Sequence, residues 1–404
     1  LENFNVWPPR SQAESGIGPC QAVKRIAHLI TGLETGGAQV SLLRLVEVMD
    51  RERYRTAVIS LKSRDSLSAA FETTGIATYH LGMGTGPASA ARGLLRLNRV
   101  MRSFGPDVVH GWMYHANLAA LVAARFVSPR PPVVWSVRHS LDYMEHEKRS
   151  TALVIHLGAK LSRECASIVY NSRKAASQHR ARGYDGIRGM VIPNGFDCDL
   201  FRPAAQARSW LRGEVLNIPE QTLLIGMVAR YHPIKDHETF LGAAGSLSRT
   251  TPGVDFLLVG QGVDPSNRRL MSAIARNGLQ GRVHLLGGRS DVPRLMAGLD
   301  IVTSCSQGEA FPNVIGEAMA CGVPCVASDV GDSARLVGDA GIVIPPRDPE
   351  ALHQAWKQLI ESGQECRAHL GAGGRERVLA FFSLRSTANE YQSLYDSLAR
   401  HNLS

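Results

Sequence analysis

Short runs of β-branched and other apolar residues alternate along this chain with longer helix-periodic stretches, and after a turn-rich interruption the alternation starts again. Strand-length runs fall at 25–30, 56–61, 76–81, 107–112, 133–138 and 167–171, and a second set at 223–229, 256–260, 283–286, 300–305, 324–327 and 342–344. Such alternation builds parallel sheets from βαβ units. The chain has 404 residues, more than one hydrophobic core usually supports. The expected fold class is therefore α/β, with two Rossmann-like, doubly wound domains facing a central cleft. Between the sets lie Ile192-Pro193-Asn194-Gly195-Phe196-Asp197 and Phe201-Arg202-Pro203, turn-forming residues suited to a hinge. The expected division is an arm at 1–24, a first domain at 25–205, a second at 206–382 and a helix within 383–404 that packs on the domains rather than extending a sheet.

Composition narrows the class. The chain is 44% hydrophobic, 20% charged and 6% aromatic, as in an ordinary folded protein. The nearest approach to a membrane span, 117–127, is interrupted by Arg125 and is too short. The first residues carry Pro8, Pro9, Gly16 and Gly18 without an apolar block, so an arm is expected there rather than a signal peptide, and a cytoplasmic location with it. Seven scattered cysteines suit free thiols in a reducing compartment. Cys321 and Cys325 flank Gly322 without a second ligand pair, which favours packing over zinc. Asp197-Cys198-Asp199 lies among turn residues, so no metal site is expected.

The formal charge of +9 is compatible with nucleic acid, an anionic membrane surface or phosphorylated ligands. No zinc-finger spacing or aromatic-basic RNA-binding stretch is present, and nucleic acid is not expected as a partner. On a candidate helix at 88–103, Arg92, Arg96, Arg99 and Arg102 recur three or four apart with Leu94, Leu95, Leu97 and Met101 between them. The pattern fits a solvated outer helix, and it also fits one lying on the cytoplasmic face of an anionic membrane.

Three segments carry chemistry. Thr31-Gly32-Leu33-Glu34-Thr35-Gly36-Gly37-Ala38-Gln39 joins the first strand to a helix, so its amides can approach an anion at the helix's positive end. A tight turn without a ligand looks the same, and the run is not a G-x-G-x-x-G fingerprint. Arg230 and Lys235 follow the strand at 223–229, with Asp236 as a helix cap. Two cations at the carboxyl end of such a strand can hold a diphosphate, although a surface loop carries such residues too. In Gly308-Glu309-Ala310-Phe311-Pro312-Asn313-Val314-Ile315-Gly316-Glu317-Ala318-Met319-Ala320-Cys321-Gly322-Val323-Pro324, Pro312 suits a helix's first turn and Gly322 its end. Glu309 then precedes the helix while Glu317 lies within it. Amides near Asn313 and Val314 face a phosphate, and Glu317 lies roughly 6 Å further along the same face, where a ribose joined to that phosphate would be.

On these residues the chain resembles the retaining glycosyltransferases of family 4, which have the fold called GT-B. Glu309 and Glu317, with seven residues between them, resemble the family's E-x7-E motif, and Glu-Ala-Met-Ala-Cys-Gly-Val-Pro from Glu317 resembles its continuation. The Gly36-Gly37 turn, the Asn194-Gly195 hinge, Arg230 with Lys235, and Gly287-Gly288-Arg289-Ser290-Asp291-Val292-Pro293 resemble it as well. The resemblance implies that Arg230 and Lys235 hold the donor diphosphate, that Glu317 holds the ribose and that Glu309 meets the sugar. It implies a donor surface that also includes Gly36, Gly37, Arg289, Ala310, Phe311, Pro312, Asn313 and Val314. His139 resembles the family's active-site histidine from the first domain. Many members have glycine after the first acid, where this chain has Ala310, a departure that bears on sugar selectivity.

The implied activity is transfer with retention, by front-face attack, from a nucleotide diphosphate sugar to a saccharide or lipid-linked saccharide. A UDP-sugar is the leading donor and GDP-mannose the second. The cations serve in place of a metal, and no cofactor is expected. The rivals are a nucleotide-sugar epimerase on the same architecture and a nucleotide-sugar-binding protein without turnover. The absent dinucleotide fingerprint disfavours a dehydrogenase.

Overall fold

The structure is a computed structural model that describes residues 22–84, 86–142, 144 and 148–400. Most of the expected arm at 1–24 and the last residues of 383–404 lie outside the described residues. The chain divides into two compact units, after Pro193 and again after Ser386, so the residues from Thr387 onward belong with the first unit.

The first unit holds an all-parallel sheet of β1 (Lys24–Ile30), β2 (Tyr54–Ser60), β3 (Ala77–His80), β4 (Val108–Trp112), β5 (Val133–Val137), β6 (Ser167–Tyr170) and β7 (Gly189–Val191), in the order β3-β2-β1-β4-β5-β6-β7. The second holds β8 (Leu223–Val228), β9 (Val254–Val259), β10 (Val283–Leu285), β11 (Ile301–Ser304), β12 (Cys325–Ser328) and β13 (Gly341–Ile344), in the order β10-β9-β8-β11-β12-β13. In each sheet the order reverses beside the first strand, the doubly wound arrangement. Every strand expected from the sequence is present, and β7 is an addition.

The reversal also sorts the helices. Connections that run from β3 rightward to β7 place helices Pro87–Phe104, Tyr114–Ala124, Arg149–Leu161 and Arg173–Ala181 on one face of the first sheet, because parallel crossovers are right-handed. Helix Gly37–Val48 covers the other face, and Leu42, Leu45 and Val46 share a buried cluster there with Tyr391 and Tyr395 of the C-terminal helix Leu384–Arg400. That helix packs on the first unit as a closing piece. Tyr395 meets the buried His110 Nδ1 at 2.7 Å, and Tyr54 donates to Asp396 at 2.5 Å. His110 Nε2 lies 3.0 Å from Ser136 Oγ, and Trp112 Nε1 donates to His28 Nδ1 at 3.1 Å.

The division falls after Pro193 rather than near 205, for a packing reason. The Phe196 ring lies on the helix Asn313–Ala320, where a Cβ at Gly316 would come within 2.0 Å of it. Phe196 also stacks on Phe311 with ring centres 6.1 Å apart. Its main chain exchanges hydrogen bonds of 2.8 Å with Phe382 and Leu384. The hinge stretch is thus part of the second core. Asp197 accepts from the amides of Asp199 and Leu200, a turn role. Cys321 and Cys325 are buried. Among the described residues no helix is long and apolar enough to cross a membrane.

Candidate functional site

In an open α/β sheet, ligands bind beyond the carboxyl ends of the two strands where the order reverses. In the second unit these are β8 and β11, so the loops at 229–236 and 305–312 flank the crevice. Arg230 and Lys235 lie on the first loop and Glu309 on the second. Gly260, at the end of β9, lets the first loop lie flat, since a Cβ there would be 2.1 Å from the Ala229 carbonyl oxygen and 2.8 Å from the Arg230 amide. The loop then makes a short turn at Pro233–Lys235 that His232 caps by accepting from the Ile234 amide at 3.3 Å. Asp236, at φ +54°, ends that turn and starts helix His237–Thr250, accepting from the Thr239 amide and hydroxyl. Arg230 is exposed and Lys235 half-buried. Partial burial first, and then the charges of Arg230 and Lys235, hold the His232 imidazole below its ordinary pKa.

The two loops are stitched together by the Gln307 amide, which donates to the Ile234 carbonyl at 2.8 Å. Lys235 Nζ forms an ion pair with Glu309 Oε1, and the buried Ser306 hydroxyl donates to the same oxygen at 2.9 Å. Both contacts fall on Oε1, so Oε2 is the carboxylate oxygen not engaged by these partners. Glu309 is also braced from behind. Gly331, with φ +62°, lies so close that a Cβ would be 2.4 Å and 2.5 Å from the carbonyl oxygens of Glu309 and Ala310. The Asp332 amide donates to the Ala310 carbonyl at 3.2 Å.

Helix Asn313–Ala320 begins immediately after Pro312, which offers no capping side chain. Ile315, Gly316, Ala318, Met319 and Ala320 are buried, while Asn313, Val314 and Glu317 are partly exposed. These three therefore share the open face, as i, i+1 and i+4 spacing on a helix allows. Asn194 Nδ2 donates to Asn313 Oδ1 at 2.5 Å and fixes that side chain.

Ala310, Phe311 and Pro312 are buried. Phe311 is held by Phe196 and Phe382, with ring centres 6.1 Å and 5.9 Å away, so its ring serves the core and only its main chain is available to a ligand. Arg289 lies after β10, two strands from the reversal, and forks onto Asp291 at 2.8 Å and 2.6 Å.

Gly36, Gly37 and His139 lie in the first unit. Gly36 is extended, at φ −164°. A Cβ there would lie 2.7 Å from Gln39 Oε1, and Gln39 folds back to the Gly32 carbonyl at 3.3 Å. Gly37 opens the helix, and a Cβ there would meet nothing within 4 Å. His139 is half-buried after β5, edge-on to Tyr114 with ring centres 6.4 Å apart. Ser306 and Gly331 were not among the residues expected from the sequence. Among the described residues no cluster of three or more histidines, cysteines and acids is arranged to hold a metal ion.

Comparison with known proteins gives this arrangement a family. The model of Glycosyltransferase Family 4 matches residues 35–200, and that of Glycosyl transferases group 1 matches residues 222–362. The UDP-Gal:alpha-D-GlcNAc-diphosphoundecaprenol alpha-1,3-galactosyltransferase of Escherichia coli is 25% identical over 92% of this chain and 96% of its own. The putative glycosyltransferase EpsF of Bacillus subtilis is 24% identical over 91% and 97%. Anabaena HepE in complex with UDP-glucose has a similar fold, with a TM-score of 0.79, 23% identity and coverage of 93% of this chain and 100% of that one. With both domain models matched in order and two Rossmann-like units in place, the chain belongs to the GT-B glycosyltransferases of family 4 and is an enzyme that uses a nucleotide-sugar donor.

Proposed function

We propose that the enzyme transfers a sugar with retention from a UDP-sugar, with GDP-mannose the second candidate, to a saccharide or lipid-linked saccharide, without a metal ion or other cofactor. The observation that carries this reading is the grouping of Arg230, Lys235 and Glu309 on the two loops beside the β8–β11 reversal. Arg230 and Lys235 supply the positive charge that a departing diphosphate needs, and fixed charges of this kind act without reorganisation. A diphosphate entering there competes with Glu309 for Lys235. Glu309 keeps Oε1 on Ser306 and offers Oε2 to a sugar hydroxyl. The uncapped amides at Asn313 and Val314 suit a phosphate, and Glu317 on the same face suits the ribose.

In this reading the second unit binds the nucleotide sugar, while the first carries the acceptor side, His139 and the Gly36-Gly37 turn. The acceptor proton passes to a donor phosphate oxygen, so no separate base is required. The UDP donor and diphospholipid acceptor in the name of the E. coli relative, and the UDP-glucose complex of HepE, support the choice of donor and acceptor classes.

The test is a nucleotide-sugar binding screen followed by acceptor-dependent nucleotide release with and without EDTA. Turnover should survive chelation; loss that magnesium or manganese restores would overturn the metal-free account.

A further inference from the structure

His232 uses only one of its two ring nitrogens inside the fold. Nδ1 accepts from the Ile234 amide at 3.3 Å and so caps the turn at Pro233–Lys235. A ring nitrogen that accepts a hydrogen bond carries no hydrogen of its own, which places the hydrogen of the neutral imidazole on Nε2. Nε2–H has no acceptor among the described residues. Two features keep the ring neutral. A proton on Nδ1 would set two donors against each other at the cap, and partial burial with the charges of Arg230 and Lys235 already lowers the pKa.

The main chain sets where this ring lies. The loop after β8 is held to its neighbour by the Ala229 amide, which donates to the Val259 carbonyl, and by the Tyr231 amide, which donates to that of Gln261, each at 2.8 Å. Tyr231 turns inward, its ring 5.1 Å from that of the buried His237. Arg230 and His232, on either side of it, are exposed. His232 has extended backbone, at φ −156° and ψ 142°, and alternate residues of an extended segment share a face. Arg230 and His232 therefore share the outer side of the loop, and Lys235 ends the turn that follows, its amide donating to the His232 carbonyl at 2.9 Å. A cap alone does not call for an imidazole, since serine, threonine, asparagine and aspartate are the usual choices. What histidine adds is a second nitrogen further from the main chain.

We propose that His232 is a third ligand of the donor diphosphate, its neutral Nε2–H donating to a phosphate oxygen beside Arg230 and Lys235. The assignment rests on the reading that places the diphosphate at this loop. The contact that shapes the turn also fixes which nitrogen carries the hydrogen, so the donor group is oriented before the nucleotide arrives. A neutral donor adds a hydrogen bond without the repulsion that a third cation would bring to Arg230 and Lys235. Lys235 must leave Glu309 to meet a phosphate, whereas Nε2–H has no internal partner to give up.

Two substitutions separate the ring's two tasks. His232→Ser keeps a cap, because a serine hydroxyl accepts from the same amide, and removes the nitrogen that reaches the phosphate. His232→Gln keeps an N–H donor on a side chain of similar reach and removes a good cap. Calorimetry of the whole chain with UDP and with GDP reads the affinity, and thermal unfolding reads the cap. His232→Ser should bind the tighter of the two nucleotides roughly tenfold more weakly, the worth of one hydrogen bond to a charged group, with Tm unchanged. His232→Gln should recover most of that affinity and unfold at a lower temperature. The corresponding nucleoside should bind the serine variant and the unsubstituted enzyme alike.

A loss in the glutamine variant as large as that in the serine variant overturns the assignment, since the ring is then only a cap. So does an equal loss of nucleoside binding, which would place the contact away from the phosphates. Arg230→Gln, measured in parallel, separates the two readings. If it weakens nucleotide binding while His232→Ser does not, the diphosphate lies at this loop and only the His232 assignment fails. Full affinity in all three variants removes the diphosphate from the loop and overturns both.

Discussion

Replacing Gly331 by alanine tests whether Glu309 acts through its exact placement. Gly331 has φ +62°, so a side chain there costs about 1–2 kcal/mol from backbone conformation alone. The added Cβ would lie 2.4 Å from the Glu309 carbonyl oxygen and 2.5 Å from that of Ala310, against 3.4 Å for the start of ordinary contact. Either the Glu309–Ala310 backbone or the Gly331 turn must retreat by about 1 Å, and a misplacement of that size costs roughly hundredfold in rate when the displaced group meets the reacting atoms. That factor corresponds to about 2.7 kcal/mol of transition-state stabilisation. The helix Asn313–Ala320 is anchored independently by Phe196 under Gly316, so nucleotide binding should change little. The assay pairs nucleoside diphosphate release at saturating donor with calorimetry of the bare nucleotide. Expected are kcat lower by roughly hundredfold, a nearly unchanged nucleotide Kd and a lower Tm. A folded Gly331→Ala enzyme with full kcat would refute the reasoning, as would one whose nucleotide affinity falls as far as its rate.

The two acids should separate in the same assays. Glu317→Ala should weaken both donor and nucleotide by about 1.5 to 3 kcal/mol if a charged hydrogen bond to ribose is lost, whereas Glu309→Ala should bind nucleotide almost normally and lose most turnover; the reverse pattern would displace the donor along the helix. Acid should loosen the first unit before the second. Burial holds His28 at about 3 and His179 at about 4, and it lowers His110 well below its ordinary value. These groups are neutral in the fold, so their contribution is complete above the unfolded value near 6.5 and is lost as pH falls below it, at about 1.4 kcal/mol per pH unit for each. Three together reach about 4 kcal/mol between pH 6 and 5, a large part of a domain's stability. In the second unit burial holds His237 at about 4 and the exposed His232 is lowered as well. Urea unfolding at pH 7, 6 and 5, with peptide-resolved hydrogen exchange to tell the units apart, should show a steep loss in the first; a flat response there would count against it.

The sequence made the strands visible because each is an apolar run bounded by helix-periodic residues. β7 escaped notice because Gly189–Val191 is short, begins with glycine and is defined by its pairing with Ile168–Tyr170 rather than by any pattern of its own. The positions of Arg230, Lys235, Glu309 and Glu317 were legible because each is set by where a strand ends or a helix begins. Ser306 and Gly331 were not, since a loop serine and a loop glycine have no periodicity and acquire meaning only from what they touch. The sequence also gave no sign that Phe311, beside an expected donor contact, is occupied by Phe196 and Phe382. Nor could it locate the division after Pro193, which depends on where the Phe196 ring comes to rest.

The chain leaves the first unit after Pro193 and returns to it with Thr387, which imposes an order on synthesis. The second unit is contiguous and can fold as soon as it has cleared the ribosome. The first must wait, with His110 and Tyr54 exposed on an unfinished sheet, until Tyr395 and Asp396 arrive to cover them. A chain cut short within helix Leu384–Arg400 after Ser386 therefore carries every residue of the second unit and an open first unit, the species a cell's chaperones would meet.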